Sequence, residues 1–408
     1  MRIPRQVIFT LYFTALLVYT IASARGGGGG TGGGSGGSSS GVGDGSIEGN
    51  ILAVVVFVSF GILVWYLRKR QIGKADKVVS DASIHDPVWN KEAIIGHARE
   101  IFFRFQQDWS TFNVASIRTY CTSEFANKIE LELAVLKSQR RVNVVKDVTI
   151  FSLICLEATD TFENTGDQYM VEISAKMNDL LIEEATGQEL LVDNKPFTEH
   201  WTFTRVNDAW ILEGIRQATE SVNLVELQVK DFAQKNGLYF DPDFGRLMLP
   251  TRGVLFGNSR FRKSDVNNHV VGKFDQNLIE LYTYVPNTRR HFLQRNFMVA
   301  QTILAVSCDN ILVKRKNRFL NFAPSGLRRI QTESNDFNRK FCLYATPTDH
   351  ISSFVLLAPD FMESVYQLPF VLNIEIVGNF LYLYTEARGE GQYKTMLGIL
   401  THACRSLR

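Results

Sequence analysis

The chain has 408 residues, 45% of them hydrophobic and 21% charged, with a formal net charge of +2. That is room for two globular domains plus extensions, and it excludes a disordered tail, a minimal disulfide scaffold and a whole-chain nucleic-acid signature. Five cysteines (Cys121, Cys155, Cys308, Cys342, Cys404) form an odd, scattered set with no CxxC pair, which argues against a disulfide framework and a structural zinc site and fits a reducing compartment.

Arg2 and Arg5 precede an apolar run over 7–21 that ends in Ala22, Ser23 and Ala24, the pattern of a signal peptide over 1–24, with an uncleaved membrane helix as the alternative. Residues 25–50 hold most of a Gly/Ser-rich stretch, with 14 of the 30 glycines between 26 and 49, and read as a flexible linker. Residues 51–67 are uncharged, border on Trp65 and Tyr66, and are followed by Arg68, Lys69 and Arg70. Clustered cations stay on the cytoplasmic side of a bilayer. The expectation is therefore a single transmembrane helix over 51–67 and a basic juxtamembrane linker over 68–85, in a cell-membrane protein with its N-terminus outside and its later domains cytosolic.

In 86–217, Ile94, Ala98, Ile101, Phe102, Phe105 and Trp109 recur at three-and-four spacing and predict a helix of about five turns. A second helix starts near Thr122 and Ser123 and carries Phe125, Ile129, Leu133 and Leu136 on one stripe. Period two then predicts strands around 148–155, 168–177 and 197–205, the last turning at Asn207 and Asp208 into a partner strand from Trp210 to Ile215. Helices followed by an antiparallel meander make an α+β domain with helices on one face of the sheet.

The residues Phe105, Trp109, Ser110, Asn113, Arg118, Tyr120, Asn143 and Val148, and above all Glu199, Trp201, Phe203, Arg205, Trp210 and Ile215, resemble the Tim44-like domain family. The family includes the membrane-docking domain of a mitochondrial import-motor subunit, a mitoribosomal protein and bacterial membrane-anchored proteins. The resemblance implies a fold similar to nuclear transport factor 2 and cystatin, with an apolar pocket between sheet and long helix that docks protein or lipid, and it implies no enzymatic activity. The pocket would be lined by Phe105, Trp109, Phe197, Glu199, Trp201, Phe203, Arg205 and Trp210. Strand parity puts Glu199 and Arg205 on one face, either both on the concave side or paired at its rim, and a carboxylate among aromatics can have a raised pKa.

Asn223 opens a linker helix over 218–237 that stops at Asn236 and Gly237. Beyond it, 238–408 reads as a second, β-rich α+β domain, with hairpins over Asp275–Asn277 and around Gly378 and Asn379, strands over 297–306, 311–313, 319–322 and 341–344, and a short helix from Pro359. The run from Glu333 to Tyr384 resembles an uncharacterised family of bacterial proteins and implies nothing about activity. Residues 86–217 carry a charge balance of −8 and residues 218–408 one of +6. The densest basic surface is Lys314, Arg315, Lys316 and Arg318 with Arg328 and Arg329.

No nucleotide-binding, zinc-protease or nucleophile-elbow motif occurs, and the seven histidines show no metal-ligand spacing. No catalytic residue, cofactor or metal is expected. The functional expectation is a membrane-anchored scaffold or adaptor with a protein partner, in protein transport or membrane biogenesis, with anionic lipid as a second partner and nucleic acid disfavoured. The alternatives are a small-molecule or enzymatic pocket at Glu199, and a ribosome or RNA tether through the basic surface.

Overall fold

The computed structural model describes residues 47–218, 224–241, 245–248, 253–256, 266–285, 296–316, 321–347, 355–386 and 391–407. The expected signal peptide, nearly all of the Gly/Ser-rich linker, Asn223 and Arg318 lie outside the described residues. The chain is α+β and divides into two compact units. The first takes the residues up to Asn127 with Asn143–Ile182 and Leu191–Glu220; the second takes Lys128–Val142, Glu183–Leu190 and Ser221–Arg408.

One helix, α1 (Ile47–Ser83), contains both the expected membrane span and the expected linker. Among the described residues no helix is long and apolar enough to cross a membrane, which overturns the expectation of a single transmembrane helix. The 17 uncharged residues over 51–67 rise about 26 Å as a helix, short of the roughly 30 Å of bilayer hydrocarbon. The helix then runs on through charged sequence and packs on protein: Arg68 donates to the Glu172 carboxylate, Asp76 accepts from Lys91 of the next helix at 2.6 Å, and Ala75, Val79 and Ala82 are buried.

Asp86 accepts from the Val88 amide at the head of a 3-10 turn (Pro87–Trp89), and Asn90 caps α2 (Lys91–Ser110) by accepting from the Ala93 amide. A short α3 (Val114–Tyr120), capped by Asn113, and α4 (Ser123–Ser138) follow. The five-stranded sheet runs in the order β1 (Arg141–Thr159), β2 (Gln168–Glu183), β4 (Phe197–Val206), β5 (Ala209–Gln217), with β3 (Glu189–Asp193) pairing β2. Burial alternates strictly along β4 from Phe197 to Arg205, as a strand with one face on a core demands.

In the second unit α5 (Leu224–Lys235) precedes β6 (Tyr239–Phe240), β7 (Val266–Phe274), β8 (Asn277–Tyr284) and β9 (Phe297–Arg315). Then come β10 (Arg328–Ile330), α6 (Asn335–Lys340), β11 (Phe341–Ala345), α7 (Pro359–Tyr366), β12 (Asn373–Glu386) and α8 (Gly391–Ser406). The 19-residue β9 is the spine: β8 pairs its first third, β11 its last third, and β12 pairs it along nearly its whole length. The two expected strands over 297–313 are thus one. The expected hairpin around Gly378 is also one strand, because Gly378 takes φ 62° and makes a bulge opposite Cys308 instead of a reversal. Phe322, placed in a strand by composition, lies in irregular chain. Tyr393, Met396, Leu397, Leu400 and Ala403 of α8 close one face of this sheet over Leu281, Ala300, Ile311 and Val313.

Gln139 and Arg141 belong to this second unit, where Gln139 donates to the Met248 carbonyl at 2.7 Å and Arg141 to the Leu247 carbonyl at 3.0 Å. A fragment ending at residue 217 deprives both buried side chains of these acceptors. It is expected to melt several degrees below the full chain with a shallower transition, as checked by circular dichroism on both.

Candidate functional site

All eight side chains expected to line a pocket lie on the inner face of the first unit's sheet or on α2, and all are buried. Phe102 and Phe105 of α2 meet the Trp201 ring at centroid distances of 5.2 and 5.6 Å, and Phe105 stacks on Trp109 and Phe125. Tyr169, paired across the ladder with Phe203, stacks on it at 4.8 Å and meets Trp210 edge-on, while Trp89 closes the far end against Trp210. Such edge and offset contacts pack ring against ring between helix and sheet.

Two polar groups sit inside this aromatic layer. Glu199 is completely buried; the Trp201 indole donates to its Oε2 at 3.0 Å, and among the described residues its Oε1 has no hydrogen-bond partner. Burial pushes its carboxyl up to about 8, and the neighbouring Asp179 charge adds to the rise. Glu199 therefore carries a proton at neutral pH. Gln106 is the second: it lies one turn beyond Phe102 on the same stripe of α2, is buried, and among the described residues neither amide atom has a partner. Because His97 meets Phe203 and Phe102 meets both Trp201 and Phe197, α2 runs antiparallel to β4 and carries Gln106 towards the Glu199 end. Alongside, the Trp109 indole donates to Asn143 Oδ1 at 2.8 Å and the Asn143 amide donates to Asp179.

Arg205 shares the face of Glu199 but does not pair with it. Its guanidinium is held by Asp86, by Asp167 at 3.1 Å and by Asp208 at 2.6 Å, which ties the entry to α2, the β1–β2 connection and the β4–β5 turn to one cation. Three carboxylates hold its pKa above the ordinary arginine value. Asp108 and Tyr120 are likewise structural: the Tyr120 hydroxyl donates to Asp108 Oδ2 at 3.0 Å, and the Asn113 amide donates to Asp108 Oδ1.

In the second unit a buried ionic chain joins residues far apart in sequence. Lys128 lies 2.9 Å from Asp241 and 3.7 Å from Glu132; His269 stands between Asp241, at 3.8 Å, and Glu280, at 3.2 Å. Gln301 then donates to Glu280 and accepts from the Tyr282 hydroxyl. The two carboxylates hold the His269 imidazole up at about 9 against the pull of burial, so it is an imidazolium at neutral pH, and Lys128 with His269 holds Asp241 well below the usual carboxylate range. Sequence reasoning missed this chain, because none of its spacings is a motif. It also missed Gln106, whose one signal is a polar residue on an otherwise apolar helical stripe. Among the described residues no group of histidine, cysteine and carboxylate side chains could hold a metal ion. All five cysteines are buried, and among the described residues no disulfide joins them.

The structure sets an aromatic row on β4 against a stripe on α2, and residues 75–217 match the family model described as Tim44-like domain, the family that the sequence resembles. This segment is a Tim44-like domain. The match to the Tim44-like model begins at Ala75, within α1. No curated protein matches the chain. Among solved structures, the mycobacterial trehalose monomycolate transport factor A, TtfA, aligns at 10% identity over 45% of this chain and 94% of its own, with a TM-score of 0.34. The intermembrane space region of the chloroplast protein ARC6 aligns at 13% identity over 30% of this chain and 95% of its own, with a TM-score of 0.25. Likenesses this slight carry no argument about fold or role.

Two pH dependences follow. A Glu199 carboxyl at about 8 in the native chain, against 4.5 in the open chain, keeps its proton where the unfolded state has lost it, so stability falls as pH rises from 4.5 and levels off above 8. Glu199→Gln is expected to remove that loss and to melt several degrees above the parent at pH 8, with little difference at pH 4.5. His269 has the opposite origin: its stabilisation is complete below 6.5 and is lost as pH rises through 9. Urea unfolding of the full chain across that interval is expected to show a falling midpoint, with a flatter profile for His269→Gln.

Proposed function

We propose that the chain is a non-enzymatic scaffold or adaptor that docks a protein partner through its Tim44-like domain, in a transport or biogenesis assembly. The family match over residues 75–217 is the observation that supports this reading. Because the Phe197, Trp201, Phe203 and Trp210 side chains are buried against one another and α2, docking falls to the outside of the domain, where Phe103 of α2 and Phe151 of β1 expose 42% and 60% of their surface. Exposed aromatics are the side chains that most often anchor protein interfaces.

A photo-crosslinking residue at position 103 or 151 of the full chain is expected to capture one discrete protein, and Phe103→Ser or Phe151→Ser to weaken binding of that protein once purified by tenfold or more. The same probe at Trp201, inside the core, is expected to capture none. No protein above background at either exposed position would remove the docking reading.

A second reading, a small-molecule site, is favoured by the partnerless Glu199 Oε1 and Gln106 amide, since buried polar atoms are nearly always satisfied. A ligand that raises the melting temperature of the parent and leaves Glu199→Gln unmoved would favour it over docking.

A further inference from the structure

The basic surface of the second unit is built on one side of three paired strands. Lys314 of β9 is opposite Cys342 of β11, and Arg329 of β10 is opposite Tyr344 of β11. Cys342 and Tyr344 are two residues apart and face the same side, so Lys314 and Arg329 share that side, and Lys316 follows Lys314 by the same period. Arg315 and Arg328, opposite Phe341 and Ala345, alternate to the side of Val313, Leu343 and the large apolar core. Lys340, whose carbonyl accepts from the Lys316 amide, sends its ammonium to the Arg315 side, over the Phe341 ring at 5.7 Å.

These cations are held in place without carboxylates. The Lys314 ammonium lies over the Tyr344 ring at 5.0 Å and donates to the Phe322 carbonyl at 3.4 Å; that of Lys340 lies 4.3 Å from the Tyr366 ring centroid and donates to the Tyr366 carbonyl. Among the described residues none of Lys314, Lys316 and Arg329 forms an ion pair. Amid them projects Phe322, 77% exposed, on chain pinned where the Tyr344 hydroxyl donates to the Asn321 carbonyl at 2.9 Å.

We propose that this face is a contact for an anionic bilayer surface, with Lys314, Lys316 and Arg329 meeting lipid phosphates and Phe322 entering the headgroup layer. Unpaired cations around one projecting apolar ring suit a plane of negative charge over hydrocarbon. A single-stranded nucleic acid stacks successive bases on several free rings, whereas on this side the Tyr344 ring is buried and Phe322 is the exposed one.

The test is flotation of the full chain with phosphatidylcholine vesicles, with and without phosphatidylglycerol. The parent is expected to partition more strongly onto the anionic vesicles, with a gain that shrinks as salt rises. Replacing Lys314, Lys316 and Arg329 together by Gln is expected to cut that gain by about fivefold for each cation removed, with binding to neutral vesicles unchanged. Arg315→Gln with Arg328→Gln, on the opposite side, is expected to cut it clearly less per charge. Phe322→Ser is expected to lower the binding that persists at high salt. Equal losses per charge from the two sides, or a triple variant that keeps the full gain, would overturn the proposal. Tighter binding of a single-stranded oligonucleotide than of anionic vesicles, lost in the same triple variant, would overturn it in favour of nucleic acid.

Discussion

The Tim44-like domain depends on one contact: Phe102 and Phe105 of α2 against Phe197 and Trp201 of β4. Each ring brings a large apolar area out of water, and several kcal/mol per aromatic side chain is the usual scale of what its truncation costs. The other elements can be read from this contact. Tyr169 on β2 extends the aromatic row sideways, Phe125 brings α4 in beside Phe105, and Trp210 on β5 is capped by the Val88 carbonyl just before α2 begins. Arg205 then ties three connections at the edge of the same layer through three aspartates.

Both units keep ionisable groups inside, and they do so differently. Arg205 and the chain through Lys128, Asp241, His269 and Glu280 are compensated: every charge has an opposite neighbour within about 4 Å. Such arrangements add little net stability over apolar packing but make single losses expensive, since one deletion leaves the partner buried and uncompensated. Glu199 is the uncompensated case. It lacks a cation, and burial resolves the conflict by protonating it. A protonated acid with one bare oxygen, in a layer otherwise filled by rings, is a locally costly choice of the kind that accompanies function more often than stability.

Much of this was legible in the sequence, and the parts that were not share a cause. Periodicity placed α2, α4, β2, β4 and β5, because each buries one face and its pattern needs no partner to be read. It split β9 in two at Asp309–Asn310 and made a hairpin of β12 at Gly378, since polar and glycine residues read as turns when the strand alongside that absorbs a bulge is unknown. Hydropathy took 51–67 as a membrane span, whereas α1 continues to Ser83 and lays its cationic half on the domain. Parity put Glu199 and Arg205 on the buried side of β4, yet could not say that they would stay apart.

The sequence by itself determined the α+β class, the aromatic row and the side of each strand that would be buried, because these rest on spacing along one segment, and its resemblance to a family marked the Tim44-like domain. Only the tertiary structure decided who meets whom: three aspartates from 86, 167 and 208 on one guanidinium, a histidine at 269 between carboxylates at 241 and 280, and three cations on one side of β9 and β10 with two on the other. The physical reason is distance. Charge acts over a few ångströms in space whatever the separation along the chain, and strand register, which no local pattern specifies across long connections, sets those few ångströms.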